Sequence, residues 1–211
     1  MPVERAQLYV SDRAVQVARS AVAHVRRVAL LGPQGTWTHQ VALELWPGLP
    51  MEWHFGAPEQ LRTALQQGEV DAVLLPARTT VVGDTPYRAE LDAMLTMARV
   101  HLLAQYARML GYCLLGHAGA QVSNVLRVYA HPVALAEAAP WLDVHLPHAQ
   151  RMPCESAGHA AEWVAQSADR NCAGLGPALA GSLHGLLAIA TGIEQGPHNI
   201  TQWWVVGRDA M

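Results

Sequence analysis

"YAHPVALAEAAPWL" spans Tyr129 to Leu142. An apolar, aromatic run ends at Ala130, and a proline follows one residue later. At the first position of a helix, the missing N–H of Pro132 costs nothing, and its fixed φ suits the helix. The alanines and Leu135 behind it are good helix formers. The His131-Pro132 pair therefore marks a strand that stops and a helix that starts at once. His131 is placed there as a cap and packing residue rather than as an acid or base.

Similar junctions recur on both sides. Residues 27–32, "RVALLG", read as a short apolar strand, and 36–46, "TWTHQVALELW", as a helix whose His39 faces solvent. Residues 51–55 alternate like a strand. A helix over 58–68 follows, opened by Pro58 and closed by Gly68, and then a buried strand over 70–76. The stretch 77–107 is less regular, with a helix over 89–98. The series resumes with a long strand over 108–117, a strand over 125–130 and a helix over 132–141. Next come a strand near 144–147 or 150–153, a helix over 157–168, a strand over 172–176 and a helix over 177–184. Two strands close it, over 186–193 and 201–207. Trp203 and Trp204 alternate on the last, one in the core and the other free to line a cleft or interface.

This alternation predicts an α/β protein with mainly parallel sheets, arranged as two similar lobes. The first lobe takes about 28–105 plus 186–208, and the second about 106–185. Residues 1–27 form an N-terminal helical extension. Its helix over 11–27 places Val15, Ala18, Val22 and Val25 at helical spacing, to pack on the main body or on a partner subunit. Two-lobed folds of this kind hold small ligands in the inter-lobe cleft, at strand C-termini and helix N-termini.

Composition narrows the function classes. With 51% hydrophobic and 15% charged residues in 211, the chain folds around a real core. A net charge of −3 without a basic run speaks against nucleic acid and a membrane surface. No apolar run is long enough for a membrane span, and the N-terminus lacks a signal-peptide pattern, so a cytoplasmic protein is expected. Cys113, Cys154 and Cys172 are odd in number and widely spaced, which fits free thiols. His145 and His148 flank Pro147 with no third ligand at a recognisable spacing, so no metal is expected.

Four stretches offer chemistry. "LLGPQGTWTHQ" (30–40) is a strand, a glycine turn and a helix start: Gly32 and Gly35 let the backbone turn tightly, Thr36 or Thr38 can cap the helix, and the free N–H groups there would attract a carboxylate or phosphate. It is neither a Walker loop nor GxGxxG. "LLPARTTVVGD" (74–84) supplies Arg78, an anion clamp, with the hydroxyls of Thr79 and Thr80. "CESAGHAAEW" (154–163) places Ser156 and Ala157 at a helix start, and "GPHNITQWW" (196–204) places Asn199, Thr201 and Gln202 at a strand start.

Together, in this order, these stretches resemble the prephenate dehydratase family. Its Gly-Pro-x-Gly-Thr turn matches Gly32-Pro33-Gln34-Gly35-Thr36, and Pro76 and Gly83 keep the frame of its Pro-Ile-Glu-Asn-Ser loop. Its Ser-His-Pro-x-Ala-Leu segment matches Ala130 to Leu135, and its Ser-Thr-x-x-Ala-Ala segment matches Ser156 to Ala161. Its Asn-x-Thr-Arg-Phe segment matches Asn199 to Trp203. The likeness covers roughly 28–208. It implies a two-lobed fold like a type II periplasmic binding protein, a homodimer, and a cleft that takes a small carboxylated substrate without metal or organic cofactor. In such a cleft prephenate loses its ring carboxylate and hydroxyl to give phenylpyruvate. Thr201 matches the threonine that assists hydroxide departure, by orientation and hydrogen bonding rather than full proton transfer.

The polar lining departs from the family pattern. Arg78-Thr79-Thr80 replaces Glu-Asn-Ser, Ala157 replaces a threonine, and Gln202 replaces the arginine of Thr-Arg-Phe. One expectation is compensation, with Arg78 supplying from the opposite wall the charge that Gln202 lacks. A kept frame with a rewritten lining favours a related substrate in specialised, antibiotic-type metabolism. Non-aromatising prephenate decarboxylases and the dehydratase-like protein of tropodithietic acid pathways are relatives of that kind. The alternatives are phenylalanine biosynthesis from prephenate itself and a non-catalytic small-anion binder. The chain has no room for the phenylalanine-sensing ACT domain that usually follows in this family, so feedback within it is not expected.

Overall fold

The computed structural model describes residues 12–194 and 199–208. The chain begins with α1 (Asp12–Ala21), β1 (Arg27–Leu31), α2 (Trp37–Leu45), β2 (Glu52–Gly56), α3 (Pro58–Gln67) and β3 (Ala72–Thr79). A short β4 (Gly83–Asp84), α4 (Arg88–Leu95) and the long β5 (Val100–Met109) follow. The chain then passes through β6 (Cys113–Gly116), β7 (Arg127–Ala130), α5 (Pro132–Glu137), α6 (Ala139–His145) and β8 (Gln150–Pro153). After α7 (Ala157–Gln166), β9 (Cys172–Gly176), α8 (Ala178–His184) and β10 (Leu187–Thr191), it returns as β11 (Ile200–Arg208).

These elements build the two expected α/β lobes, one on each sheet. The first sheet runs β2-β1-β3-β11-β5 with β4 on β3, and the second β10-β6-β9-β7-β8. Both are mixed, with most strands in one direction. β1 is parallel to β2 and β3, and β7 is parallel to β8 and β9. β11 is antiparallel to β3 and β5, and β6 is antiparallel to β9 and β10. The reason is where the chain changes lobe. Ordinary strands run toward the junction. β6 and β11, each the first strand after a crossing, start at the junction and must run away from it.

Several boundaries differ from the sequence reading. The expected long strand over 108–117 is divided: β5 ends in the first sheet and β6 begins in the second, with Leu110–Tyr112 as the crossing. The segment 187–191, assigned from sequence to the first lobe, pairs with β6 in the second sheet. Apolar residues alone do not show which of two sheets a strand joins, so this edge strand was misplaced. α1 ends at Ala21, earlier than expected; residues 1–11 of the extension lie outside the described residues.

One apolar cluster passes from lobe to lobe through Leu110 and Tyr112, joining Leu30, Leu74, Trp203 and Val205 to Leu114, Val128 and Leu142. A second, with Val73, Leu75, Trp204 and Val206, lies on the other face of the first sheet, under α3 and α4. Both tryptophans are therefore core residues, and Trp204 lines no cleft: its ring is covered by the Arg88 guanidinium at 4.2 Å. The N-terminal extension packs on the main body. Ala18, Val22 and Val25 join the first cluster. The Trp46 indole donates to the Val22 carbonyl at 3.1 Å, and Arg19 Nε to the Glu44 carbonyl at 2.9 Å.

Candidate active site

The strand ends that meet at the junction carry most of the polar stretches. After β1 the chain turns through Gly35, whose φ of +82° favours glycine, and Thr36 caps α2 by accepting from the His39 N–H at 3.3 Å. His39 Nδ1 in turn accepts from the Gly35 N–H at 3.2 Å. His39 is therefore buried inside the turn, not solvated as the sequence suggested, and burial pushes its pKa down, which keeps it neutral. Thr38 Oγ1 accepts from the Trp203 indole at 3.1 Å and ties α2 to β11.

The same turn is where the lobes touch. A Cβ placed on Gly158, in the first turn of α7, would lie 2.5 Å from the Gln34 carbonyl oxygen and 2.8 Å from Pro33 Cγ. A Cβ on Gly35 would lie 3.1 Å from Ala180 Cα in α8. Backbone of one lobe thus rests directly on helix starts of the other. Ser156 caps α7, accepting from the His159 N–H at 3.2 Å, and the Ala157 methyl packs over Gly176. His131 caps α5 as expected, its Nδ1 accepting from the Val133 N–H at 3.3 Å.

Thr201 and Asn199 are each only 3% exposed, and Thr201 Oγ1 donates to Asn199 Oδ1 at 3.2 Å. Thr201 pairs with Thr79 on one side and Arg108 on the other, so these three share a face. Gln202 points the opposite way, as the two-residue period of a strand requires, and its Nε2 donates to Gln105 Oε1 at 3.0 Å. Its cross-strand partner is Arg78. Arg78 therefore does not oppose Gln202 across a cleft; the two are neighbours in one sheet, on the face turned from Thr201. Arg78 is exposed and makes no ion pair among the described residues. The other two members of its loop secure the backbone: Thr79 Oγ1 accepts from the Val82 N–H at 3.0 Å and Thr80 Oγ1 from the Ile200 N–H at 2.9 Å.

The structure thus gathers Gly35, Thr36, Thr79, Asn199 and Thr201 at the first lobe's side of the junction, with Ser156 and Ala157 on the second lobe's side. Gln202 and Arg78 face elsewhere. It also adds groups that the sequence reading missed. Arg108, beside Thr201, is committed to Glu44 through Nε at 3.0 and 3.1 Å, and lies 5.0 Å over the Trp37 ring. Tyr112, in the crossing segment, packs edge-on to Trp37, and its backbone N–H donates to Glu194 Oε2 at 2.8 Å.

The most unusual of these groups is Glu137, at the end of α5 and 3% exposed. Burial pushes its carboxyl up to about 7, and Glu194 adds to the rise, while side-chain hydrogen bonds from Asn199 and Tyr112 pull the other way. Oε1 has no partner. Helical spacing carried a usable signal: Glu137 falls three residues after the buried Ala134, on the apolar face of an alanine-rich helix.

Among the described residues, no group of three or more His, Cys, Asp or Glu is placed to hold a metal, and no helix is long and apolar enough to cross a membrane. The three cysteines are free. The junction carries hydroxyl, amide and carboxyl groups at strand and helix ends. The family model for prephenate dehydratase matches residues 28–211. The chain belongs to the prephenate dehydratase family. Its relatives include a prephenate dehydratase of Mycobacterium sp. (strain JLS), 30% identical over 202 residues, covering 87% of this chain and 60% of that protein. Another is the bifunctional chorismate mutase/prephenate dehydratase of Neisseria gonorrhoeae, 26% identical, covering 89% of this chain and 51% of that protein. The chain thus spans about half to three fifths of the length of these relatives. Among solved structures, prephenate dehydratase from Arthrobacter aurescens in complex with L-Phe superposes with a TM-score of 0.75 at 26% identity, covering 88% of this chain and 61% of that one. A protein described as GqqA, a quorum quenching acylase, shares the fold with a TM-score of 0.78 at 21% identity, covering 88% and 65%.

Proposed function

We propose that the chain is a carbon–oxygen lyase that converts prephenate, or a close cyclohexadienol relative, by joint loss of the ring carboxylate and the ring hydroxyl. The observation that carries this reading is Thr201: buried at the junction, oriented by Asn199, and at the position where the family motif holds its threonine. Loss of carbon dioxide pushes an electron pair into the ring as hydroxide leaves, and aromatisation drives both. The protein's work is to orient the hydroxyl, hold the carboxylates and exclude water. Free N–H groups at the capped start of α2 and at the start of α7 suit the carboxylates. Relatives named prephenate dehydratase and arogenate dehydratase make both substrates reasonable probes.

The test is direct. Purified protein is incubated with prephenate and with arogenate, and phenylpyruvate and phenylalanine are followed. Thr201→Val, which keeps the shape and removes the hydroxyl, is expected to lower kcat about a hundredfold, in the range of one lost hydrogen bond to the charge that develops on the departing oxygen. Wild type without turnover of either substrate overturns the reading.

A second reading, a specialised and antibiotic-type substrate, is favoured by one observation: Thr79, which shares the face of Thr201, stands where the family loop has asparagine. A non-aromatic diene product from prephenate supports it. We carry the cytoplasmic homodimer forward as part of the same proposal, with sedimentation equilibrium as its check.

A further inference from the structure

The proposed reaction leaves one requirement unmet. Departing hydroxide needs a proton, and the hydroxyl of Thr201 is too weak an acid to supply one. A candidate donor stands at the seam between the lobes. Glu137 reaches it from α5, Tyr112 from the crossing segment and Asn199 from the start of β11; Glu194, after β10, holds the Tyr112 backbone. Thr201 is linked to this group through Asn199. Glu137 is 97% buried; its carboxyl takes bonds from Asn199 and Tyr112, yet Oε1 has no partner among the described residues, which leaves one buried oxygen for a further group.

On the function proposed above, we propose that Glu137 is a catalytic general acid: its carboxyl donates the proton that turns the departing hydroxyl into water, while Asn199 and Thr201 hold that hydroxyl against it. The balance closes. The bond to the ring carboxylate breaks and its electron pair enters the ring. The carbon–oxygen bond breaks with its pair on oxygen, and that oxygen takes the Glu137 proton. Carbon dioxide, water and the aromatic keto acid leave, and the Glu137 carboxylate is reprotonated from solvent. A neutral carboxyl also suits the seam, because a buried charge beside Glu194 is disfavoured and a dianionic substrate would be repelled by it.

Glu137→Gln keeps the volume and the amide-compatible partners but has no proton to give. Wild type is expected to lose kcat as pH rises through about 7, the range where Glu137 ionises. In Glu137→Gln, kcat is expected to fall about a hundredfold with KM within about threefold, and the alkaline limb to vanish. A merely structural role would not remove that limb. Tyr112→Phe takes away a hydrogen bond that favours the charged form, so the limb is expected at higher pH. Glu137→Gln within twofold of wild-type kcat with the limb intact, or a limb unmoved in Tyr112→Phe, overturns the assignment. Wild type inactive on both prephenate and arogenate overturns the function itself and the acid role with it. An active wild type with an unchanged Glu137→Gln overturns the acid role alone.

Discussion

Replacing Gly158 with alanine separates the stability of the second lobe from the closure of the two lobes. In a helix, alanine is favoured over glycine by about 1 kcal/mol, so an isolated second lobe should gain from Gly158→Ala. The added methyl meets the other lobe. It would sit 2.5 Å from the Gln34 carbonyl oxygen and 2.8 Å from Pro33 Cγ, where carbon atoms ordinarily rest about 3.5 Å apart. One wall must retreat by roughly 0.7 Å, and forced overpacking of this size costs about 1–3 kcal/mol. The obstacle is backbone on a short turn locked by the Gly35–His39 and Thr36–His39 bonds, so it yields poorly. A closure penalty of about 2 kcal/mol corresponds to a roughly thirtyfold loss of affinity for a cleft ligand, at about 1.4 kcal/mol per factor of ten. The expected result is KM for prephenate raised ten- to fiftyfold, a larger radius of gyration in small-angle scattering, and a melting temperature little changed. Unchanged KM together with an unchanged radius of gyration would refute the claim that the lobes meet at this glycine.

Three further outcomes follow from the same geometry. Arg78→Ala is expected to change kcat less than twofold and anionic-ligand affinity less than threefold, since Arg78 faces away from Thr201; a tenfold loss in isothermal titration would restore the compensation expected from sequence. Glu137→Gln is expected to raise stability at alkaline pH. A folded-state pKa raised from 4.5 to about 7 favours folding below 4.5 and is lost as pH rises through 7, so about 3 kcal/mol separates variant from wild type above 7 and the gap closes on acidification. Denaturant melts across pH test the sign. Trp203→Phe leaves the Thr38 hydroxyl without its indole donor and opens space at a site 1% exposed, and should cost about 2–3 kcal/mol in the same assay.

How much of this was legible in the sequence depends on the range of the forces involved. The strand-to-helix turns at Gly32–Thr36 and Ala130–Pro132 were readable because proline, glycine and capping residues act within a few residues of themselves. Thr36, Ser156 and His131 cap helices as their local sequence implied. Strand direction in β6 and β11 was not readable, because it follows from where the chain changes lobe. Nor was the partner of Leu187–Thr191, whose small apolar residues suit either sheet. The site divides in the same way. Thr201 and Asn199 were found through a motif, but which face Gln202 and Arg78 occupy depends on strand register. His39 was misread because its partner is a backbone N–H in the preceding turn. Glu137 shows in the sequence only through its helical spacing, because the groups around it, Tyr112 and Asn199, come from distant segments.

The position of β11 has a consequence for biosynthesis. It lies between β3 and β5, which do not pair with one another, and it comes after every strand of the second lobe. A ribosome therefore releases a nascent first lobe whose sheet has a gap, with the edges of β3 and β5 unpaired while the second lobe is being made. The second lobe, continuous from Cys113 to Thr191, has all five of its strands before that gap is filled. The strand that closes the gap is the one that carries Asn199 and Thr201 to the junction. Ligand-binding competence and completion of the first sheet should thus appear together, after the second lobe has its strands, and a nascent chain halted before β11 should engage chaperones through its first lobe rather than its second.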